Sequence, residues 1–331
     1  MKPDEGHNLT EKELAKLERR IASVYGEAAK ELQETVDNYF RQFEKRDAEM
    51  KELIGTVVNG KEWTERDYKQ WRLNQIGRGE RFKALQKRVA ERYTKANQTA
   101  VSYVNDATPG IYSLNRNYAA YTIESVAGDV GFDLWDEQTV KRLIVENPDL
   151  MPYYPAKRAL NRGIDLAYGK RQISACVTSS ILQGKSIKGM ADDLQTRIPT
   201  MSRDSAIRTA RTAVTGAQNA GRIDSYTAAQ KMGIRLKKEW LATLDGRTRH
   251  SHAMLDGEQV DNEKKFSNGC MFPGDPNGPA AEVYNCRCTL IAAVDGVDTS
   301  DAKRRDVYGV IPDMTFSQWK NQKRGEGYLQ K

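Results

Sequence analysis

The chain has 331 residues, of which 39% are hydrophobic and 29% are charged. This length suits one large domain or two ordinary ones, and the hydrophobic content excludes a wholly disordered chain. No stretch approaches the roughly 18 apolar residues of a membrane span, and the N-terminus lacks the basic-then-apolar order of a signal peptide, so we expect a soluble protein made in a cytoplasm.

A long helix is predicted near the N-terminus. From Leu14 to Phe43 apolar residues recur at steps of three and four, which is the pattern of one helix face. Thr10 and Glu13 have the spacing of a capping box, which predicts that the helix begins there. The pattern is expected to continue to about Ile54.

A second helical segment is predicted to begin at Thr64, an N-cap with Asp67 three residues on. It is expected to run towards Val104, with Gly77 and Gly79 as candidate breaks. These helices are rich in charge, as expected for long solvated helices.

Irregular structure is predicted for residues 106–136, where Asp106–Gly110 has the composition of a turn. The helical pattern then returns in residues 137–146, 156–183 and 186–197. Ile198-Pro199 is expected to end the last of these helices. A further helix is predicted from Ser202 to Met232, ended by Gly233.

Short strands are predicted after this helix. Residues 236–244 and 289–294 are apolar runs typical of strands, and long polar loops containing Gly and Pro separate them. The predicted class is therefore α+β, with a mainly α-helical N-terminal region followed by a small α+β C-terminal module. The corresponding boundaries are residues 1–200 for the helical region, 201–295 for the module and 296–331 for a C-terminal tail.

The C-terminal tail is mostly polar. Phe316 and Trp319 are the expected aromatic anchor of this polar segment. We expect the tail to dock on another surface through these two side chains.

Three motifs occur in order between Ser202 and Val294. The helix Ala206–Ala213 is followed by Gln218–Arg222, Asp245–His252 has the pattern Asp-x-Arg-Thr-Arg-x-x-His, and Asn285–Cys288 has the pattern Asn-Cys-Arg-Cys. In this order and spacing the segment resembles the head-morphogenesis family named after the F protein of phage Mu, which includes minor head proteins of SPP1-like phages. The N-terminal half resembles that family only in being helical and charged.

The resemblance implies a minor head protein of a tailed bacteriophage, and no catalytic activity. Its implied role is in head assembly and in packaging or delivering the genome, with incorporation through the portal. The implied partners are the portal protein, the major capsid or scaffolding protein, other copies in the virion, and double-stranded DNA bound without sequence specificity. The implied location is the capsid interior near the portal, and the host cytoplasm during assembly.

A cysteine cluster near the C-terminal end suggests a metal site. Three of the four cysteines lie within nineteen residues, and they are Cys270, Cys286 and Cys288. In a cytosolic chain such clustering suggests a metal before a disulfide. On a strand, Cys286 and Cys288 would point to the same face.

The resemblance adds His252 as a third ligand of a structural zinc ion, with Cys270 or His250 as the fourth. Two alternatives are open. In one, the cysteines are small core residues and His252 bonds to Asp245 or a turn carbonyl; in the other, a disulfide forms in the mature virion.

A different class of function would use the same segment. Asp245, His250, His252 and Asp256 could hold a catalytic divalent ion in a metal-dependent nuclease or hydrolase, where the ion activates water. Thiolate ligands favour a closed structural site instead. The enzyme is therefore the alternative to the head protein.

The net charge of +7 and the isoelectric point near 9.0 favour an acidic partner. The candidate DNA-binding residues lie on the helix after Ser202, and they are Arg203, Arg208, Arg211 and Arg222. Such a strip would contact phosphates in a salt-sensitive way. Pairing of these arginines with carboxylates is equally compatible with the sequence. In the loop that follows, Arg247 and Arg249 are expected to bind Asp245 and Asp256, or to meet an acidic partner.

Overall fold

The computed structural model describes residues 4–147, 166–296, 305–306, 309–310 and 316–325. The helices are α1 (Glu5–Arg41), α2 (Glu44–Glu52), α3 (Glu65–Gln75), α4 (Gly79–Ala127), α5 (Glu137–Glu146), α6 (Leu166–Leu182), α7 (Ile187–Lys231), α8 (His250–Met254), α9 (Ala280–Val283) and α10 (Phe316–Gly325). The strands are β1 (Val57–Val58), β2 (Lys61–Glu62), β3 (Leu236–Leu241), β4 (Gln259–Asp261), β5 (Thr289–Val294), β6 (Arg305–Asp306) and β7 (Gly309–Val310). The predicted class, a mainly helical N-terminal region with a small α+β module, is confirmed. Within the described ranges, no helix has both the length and the apolar character required to cross a membrane.

The chain forms two compact units. One comprises residues 19–102 and 159–207, and the other comprises residues 1–18, 103–158 and 208–331. Each unit is assembled from separate stretches of the chain, because α1, α4 and α7 supply residues to both.

The unit of residues 19–102 and 159–207 is helical apart from the β1–β2 hairpin. Hydrogen bonds from two tyrosine hydroxyls stabilise its core. Tyr25 donates to Asn97 Oδ1 and Tyr39 donates to the carbonyl of Ile76, both over 2.5 Å. A buried ion pair joins α2 to α3, with Arg72 Nε 2.7 Å from Asp47 Oδ1. Because buried charges are costly unless paired, this contact fixes how the two helices pack.

The other unit contains the three-stranded antiparallel sheet, in the order β4-β3-β5. Leu236, Lys238 and Trp240 of β3 point into the core, in the period of two expected for a strand with one buried face. Lys238 is fully buried, and its ammonium group donates to the carbonyls of Asn262 and Met271 over 2.9 and 2.8 Å. These bonds fix the long loop that follows β4.

The start of α1 differs from the prediction. The helix begins at Glu5, and Asp4 accepts a hydrogen bond from the backbone N–H of His7 over 2.9 Å. Thr10 is buried one turn inside the helix, where its hydroxyl donates to the carbonyl of Gly6 over 2.8 Å and accepts from Asn115. The Thr10 capping box was therefore wrong, because this threonine makes a core contact instead.

Two prolines lie inside long helices, contrary to the sequence prediction. The turn predicted at Asp106–Gly110 and the irregular stretch after it are largely helical, because α4 continues through Pro109 to Ala127. Likewise α7 continues through Pro199. A proline inside a helix costs about 3 kcal/mol. Burial of neighbouring side chains, including Ile111, Tyr112 and Ile198, offsets this cost.

Other local signals are confirmed. Thr64 caps α3 in a capping box with Asp67. The helical pattern breaks at Gly79, which has a φ of +88° and is the first residue of α4, and α7 is followed by Gly233 with a φ of +89°. The first predicted helix ends earlier than expected, at Arg41, and α2 continues it to Glu52. Of the helix predicted over residues 156–183, the part before residue 166 lies outside the described residues.

The tail helix α10 packs in the core of its own unit. Phe316 is 2% exposed and meets Tyr118 with ring centroids 5.2 Å apart, and Trp319 is fully buried. Trp319 Nε1 donates to Glu124 Oε2 over 2.6 Å. The predicted aromatic anchor thus docks on α4 of the same chain.

Candidate metal centre

His252, Cys286 and Cys288 come together in the core of the α+β module. The Nδ1 atom of His252 lies 3.6 Å from the Cys286 sulfur and 3.4 Å from the Cys288 sulfur. All three side chains are at most 2% exposed. In the described part of the chain they form the one group of three or more His, Cys, Asp or Glu residues whose ligand atoms lie close enough to share a metal ion.

Different elements position these ligands. His252 lies on the short helix α8, with its ring directed inward and edge-on to Trp240 at a centroid distance of 5.4 Å. The two cysteines precede β5 rather than lying on it, because the strand begins at Thr289. Asn285 has a φ of +58°, a left-handed conformation that asparagine tolerates better than most residues. This turn lies immediately before the two cysteines.

The two thiols are electrostatically unequal. A hydrogen bond from the Cys286 thiol, together with a hydrogen bond and electrostatic attraction from His252, outweighs the effect of burial and lowers the pKa of Cys288 to about 4. The same hydrogen bond, together with burial, raises the pKa of Cys286 well above its ordinary value. The backbone N–H of Cys288 also donates to the Cys286 sulfur over 3.4 Å. The arrangement therefore stabilises negative charge on the Cys288 sulfur, as a thiolate ligand requires, whereas Cys286 keeps its proton.

Glu282 faces the other nitrogen of the imidazole. Its Oε2 atom lies 3.0 Å from His252 Nε2 and accepts a hydrogen bond from the Ser251 hydroxyl over 3.0 Å. The contact with Nε2 is close but not aligned as a hydrogen bond, and this nitrogen has no hydrogen-bond partner among the described residues. A histidine with one nitrogen towards soft ligands and the other towards a carboxylate is the usual setting of a metal-binding imidazole. The sequence prediction missed Glu282, because an acid four residues before a cysteine carries no distinctive signal.

Cys270 and His250, the candidates for a fourth ligand, do not join this group. Cys270 is buried beside Gly278, where a Cβ on the glycine would lie 2.5 Å from the Cys270 sulfur, and burial raises the pKa of this thiol to about 12. His250 is exposed at the start of α8. The described residues thus bring together three of the five predicted ligands.

The acidic residues of the alternative nuclease site bind other groups and do not join His252. Asp245 forms a bidentate pair with Arg287 over 2.5 Å, and these hydrogen bonds hold the pKa of Asp245 well below its usual range. Asp256 accepts a hydrogen bond from the backbone N–H of Ala242 over 2.8 Å. Neither carboxylate shares a group of ligand atoms with His252 among the described residues.

Side chains of α7 hold the cysteine segment in place. The Thr215 hydroxyl donates to the carbonyl of Cys286 over 2.8 Å. Asn219 uses both ends of its amide, because it donates to the carbonyl of Cys288 and accepts from the N–H of Leu290. Polar residues of the helix therefore satisfy the backbone of the strand edge, which would otherwise be unpaired.

The arginines proposed to contact DNA occupy unequal positions. Arg222 is 2% exposed, and its guanidinium binds Asp4, Asn115 and the carbonyl of Leu290. This interior position leaves Arg222 unavailable to a phosphate, which corrects the sequence prediction for this residue. Arg211 is half-buried and pairs with Glu18.

Arg203 and Arg208 are the accessible members of this set. Arg203 pairs with the adjacent, exposed Asp204, with Nη2 3.0 Å from Oδ1, and exposed pairs of this kind are weak. Arg208 is exposed on α7. These two arginines keep the accessibility that phosphate binding requires.

The loop before α8 is stabilised internally, but not as predicted. The Asp245 carboxylate accepts from the backbone N–H of Arg247 over 2.9 Å, whereas its ion pair is with Arg287. Arg249 donates to the carbonyl of Tyr284. The predicted pairing of Arg247 and Arg249 with Asp245 and Asp256 is therefore replaced by other contacts.

Comparison with known proteins finds similarity to phage head proteins. Residues 171–291 match the family model described as Phage Mu protein F like protein. Over this region the chain is similar to the Phage Mu F-like family, which confirms the resemblance drawn from the motifs. This similarity supports a role in head morphogenesis.

The chain is similar to three relatives, and the aligned region covers a different share of each. It is 29% identical to the minor head protein GP7 of Bacillus phage SPP1 over 69% of this chain and 74% of that protein. It is 32% identical to the NAD(+)–arginine ADP-ribosyltransferase EFV of Enterococcus faecalis over 43% of this chain but only 30% of that protein. The uncharacterised protein YqbB of Bacillus subtilis is 33% identical over 36% of this chain and 40% of its own length. No solved structure matches the chain.

Proposed function

We propose that this protein is a minor head protein that enters the phage head with the portal and acts in genome packaging or delivery. The observation that carries the proposal is the similarity to the SPP1 minor head protein, which extends over 69% of the chain and thus well beyond the module. The motifs shared with the family build the interior of that module, as Asn219, Arg222 and Cys288 illustrate. A structural role explains such residues better than a catalytic one.

The proposed partners are the portal protein, the major capsid or scaffolding protein, and double-stranded DNA. For DNA, we assign phosphate contacts to Arg203 and to Arg208. The assignment of one arginine does not depend on that of the other. Contacts of this kind weaken with salt and do not depend on sequence. Binding of a labelled duplex should therefore fall as salt rises, and Arg208→Gln should reduce the salt dependence.

We further propose that His252, Cys286 and Cys288 hold a structural zinc ion. The residues supply three of the four ligands that such an ion takes: two sulfurs and one imidazole nitrogen lie within 4.8 Å of one another, the imidazole is backed by Glu282, and all three ligands are buried. When bound, zinc would cross-link α8 to the segment before β5. This cross-link would stabilise a module whose loops are long.

The test of the head role uses the phage that carries this gene. Purified virions should contain the protein, and particles made without it should package or deliver DNA poorly. Co-expression with the portal protein of the same phage should give a complex that survives gel filtration. Absence of the protein from virions, together with unchanged infectivity of the deletion phage, would reject the proposal.

Enzymatic functions are separated from the head role by direct assay. The activity named for the Enterococcus protein belongs to a chain of which only 30% is covered. Incubation with NAD(+) and an arginine-containing acceptor, and with DNA and divalent ions, should give no product. Metal-dependent cleavage that requires Asp245 and His252 would instead support the nuclease alternative.

A further inference from the structure

Glu282 is a largely buried carboxylate whose contacts converge on the candidate metal centre. Its side chain is 18% exposed, and its Oε2 atom accepts hydrogen bonds from the Ser251 hydroxyl over 3.0 Å and from the Asn268 amide over 3.5 Å. Within the described parts of the chain, His252 is the one basic side chain within ion-pair distance of this carboxylate. Because a buried carboxylate is costly unless it is paired, its position next to the imidazole requires an explanation.

The two ring nitrogens of His252 have different surroundings. Nδ1 lies 3.6 Å from the Cys286 sulfur and 3.4 Å from the Cys288 sulfur. Nε2 is buried, lacks an aligned hydrogen-bond partner among the described residues, and lies 3.0 Å from Glu282 Oε2. In a neutral imidazole one nitrogen carries the proton and the other offers its lone pair to a metal. The group that faces Nε2 therefore decides whether Nδ1 is free for an ion.

The distances around Nδ1 fit an ion bound at that nitrogen. Zinc binds sulfur at about 2.3 Å and imidazole nitrogen at about 2.0–2.1 Å in a tetrahedral arrangement, so a nitrogen and a sulfur on the same ion lie about 3.6 Å apart. The two distances from Nδ1 to the sulfurs of Cys286 and Cys288 are close to this value. An ion at Nδ1 requires that the proton of the neutral ring stay on Nε2.

We propose that Glu282 is a positioning residue of the metal centre. Its carboxylate accepts the Nε2 proton of His252, which directs the lone pair of Nδ1 to the ion that Cys286 and Cys288 share. The 3.0 Å separation of Nε2 and Oε2 lies within the range of such a hydrogen bond, and Ser251 holds the carboxylate in turn. This inference rests on the proposed zinc ion and deepens it by assigning the residue that fixes the tautomer of its histidine ligand.

The test measures the zinc affinity of the full chain by competition with a chelator of known affinity. Loss of a carboxylate that orients a metal-binding histidine lowers metal affinity about 10–100-fold, and Glu282→Ala should show a loss of this size. Glu282→Gln keeps a side-chain oxygen that can accept the Nε2 proton, so it should retain more of the affinity than Glu282→Ala.

Glu258 provides a matched control in the same module. It is also partly buried, and its carboxylate accepts hydrogen bonds from the backbone N–H and the hydroxyl of Ser267 over 2.8 and 2.7 Å. Since its carboxylate has no contact with His252 among the described residues, Glu258→Ala should bind zinc like the parent chain. Thermal unfolding of the zinc-free chains checks that every variant folds.

A spectroscopic measurement separates positioning from a general loss of structure. NMR spectra of the zinc-loaded parent chain with ¹⁵N-labelled histidine should show zinc on Nδ1 and a proton on Nε2 of His252. Zinc on Nε2, or unchanged zinc affinity in Glu282→Ala, would overturn the role of Glu282 and leave the zinc site standing. Equal weakening by Glu258→Ala would also overturn it. A parent chain that binds no zinc would instead reject the metal centre itself, and this inference with it.

Discussion

Arg222 of α7 forms a buried ion pair with Asp4, the first residue that the structure describes. Arg222 Nη1 lies 2.7 Å from Asp4 Oδ2 and Nη2 lies 2.9 Å from Oδ1, and the guanidinium also binds Asn115 and the carbonyl of Leu290. One side chain therefore joins the start of α1, the middle of α4 and the strand β5. Arg222 lies in the region that matches the family model, and its contacts hold the module together.

Breaking this pair should destabilise the protein strongly. Arg222→Met leaves the Asp4 carboxylate without its cation, and loss of one partner of a buried pair costs about 3–5 kcal/mol. The expected result is a large drop in Tm, measured by thermal unfolding. Arg235→Met, a change at an exposed position, is the control and should leave Tm nearly unchanged.

The same pair predicts a pH dependence. Burial raises the pKa of Asp4, but attraction to Arg222 outweighs it, so the pKa lies below its ordinary value. A lowered folded-state pKa gives stability that is complete above the unfolded value of about 3.9 and is lost as pH falls through the folded value. The Tm difference between the parent chain and Asp4→Asn should therefore be large at neutral pH and shrink under strongly acidic conditions. A difference that stays constant with pH would contradict this account.

Zinc removal tests the candidate metal centre. The purified chain should contain about one zinc ion, and Cys286→Ser/Cys288→Ser should contain none, as measured by elemental mass spectrometry. A chelator should lower the Tm of the parent chain, because metal that binds only the folded state stabilises it. Cys270→Ser and Cys176→Ser change buried cysteines outside the group and should retain the ion. Zinc-free parent protein would leave a packed cysteine core as the explanation.

A close approach of two helices depends on Gly221. A Cβ at this position would lie 2.5 Å from the backbone oxygen of Tyr112 on α4, so Gly221→Ala forces the helices apart. The expected cost is about 1–3 kcal/mol or more, measured by denaturant unfolding. Gly26→Ala, in α1 with open space around it, should instead stabilise the protein by about 0.5–1 kcal/mol. Equal effects of the two changes would contradict the packing argument.

The tail helix should be required for stability. Trp319→Ala removes a fully buried side chain and its hydrogen bond to Glu124, which is expected to cost about 3–5 kcal/mol. The variant should melt at lower temperature and lose α10 to proteolysis first. Asn321→Ala, at an exposed position of α10, should behave like the parent chain. Unchanged Tm in Trp319→Ala would mean that the docked tail contributes little.

Local chemistry was sufficient for several predictions. The Thr64 capping box, the break at Gly79 and the end of α7 before Gly233 depend on residues within a turn of one another. The aromatic anchor of the tail was predicted from composition, because Phe316 and Trp319 are aromatic residues in a mostly polar segment. The predicted helix breaks at Pro109 and Pro199 were wrong, because burial of distant parts of the chain outweighs the local cost of a proline.

The sequence by itself determined the helical character of the chain, its α+β module and the identity of the residues that gather in the site, because period, capping and motif order are properties of neighbouring residues. Tertiary structure decided which of them meet. It placed His252 between two cysteines, left Cys270 and His250 outside, and turned Arg222 inward to Asp4. The physical reason is that these contacts join residues 34 to 218 positions apart, and such contacts form only when packing of the whole core fixes the distances.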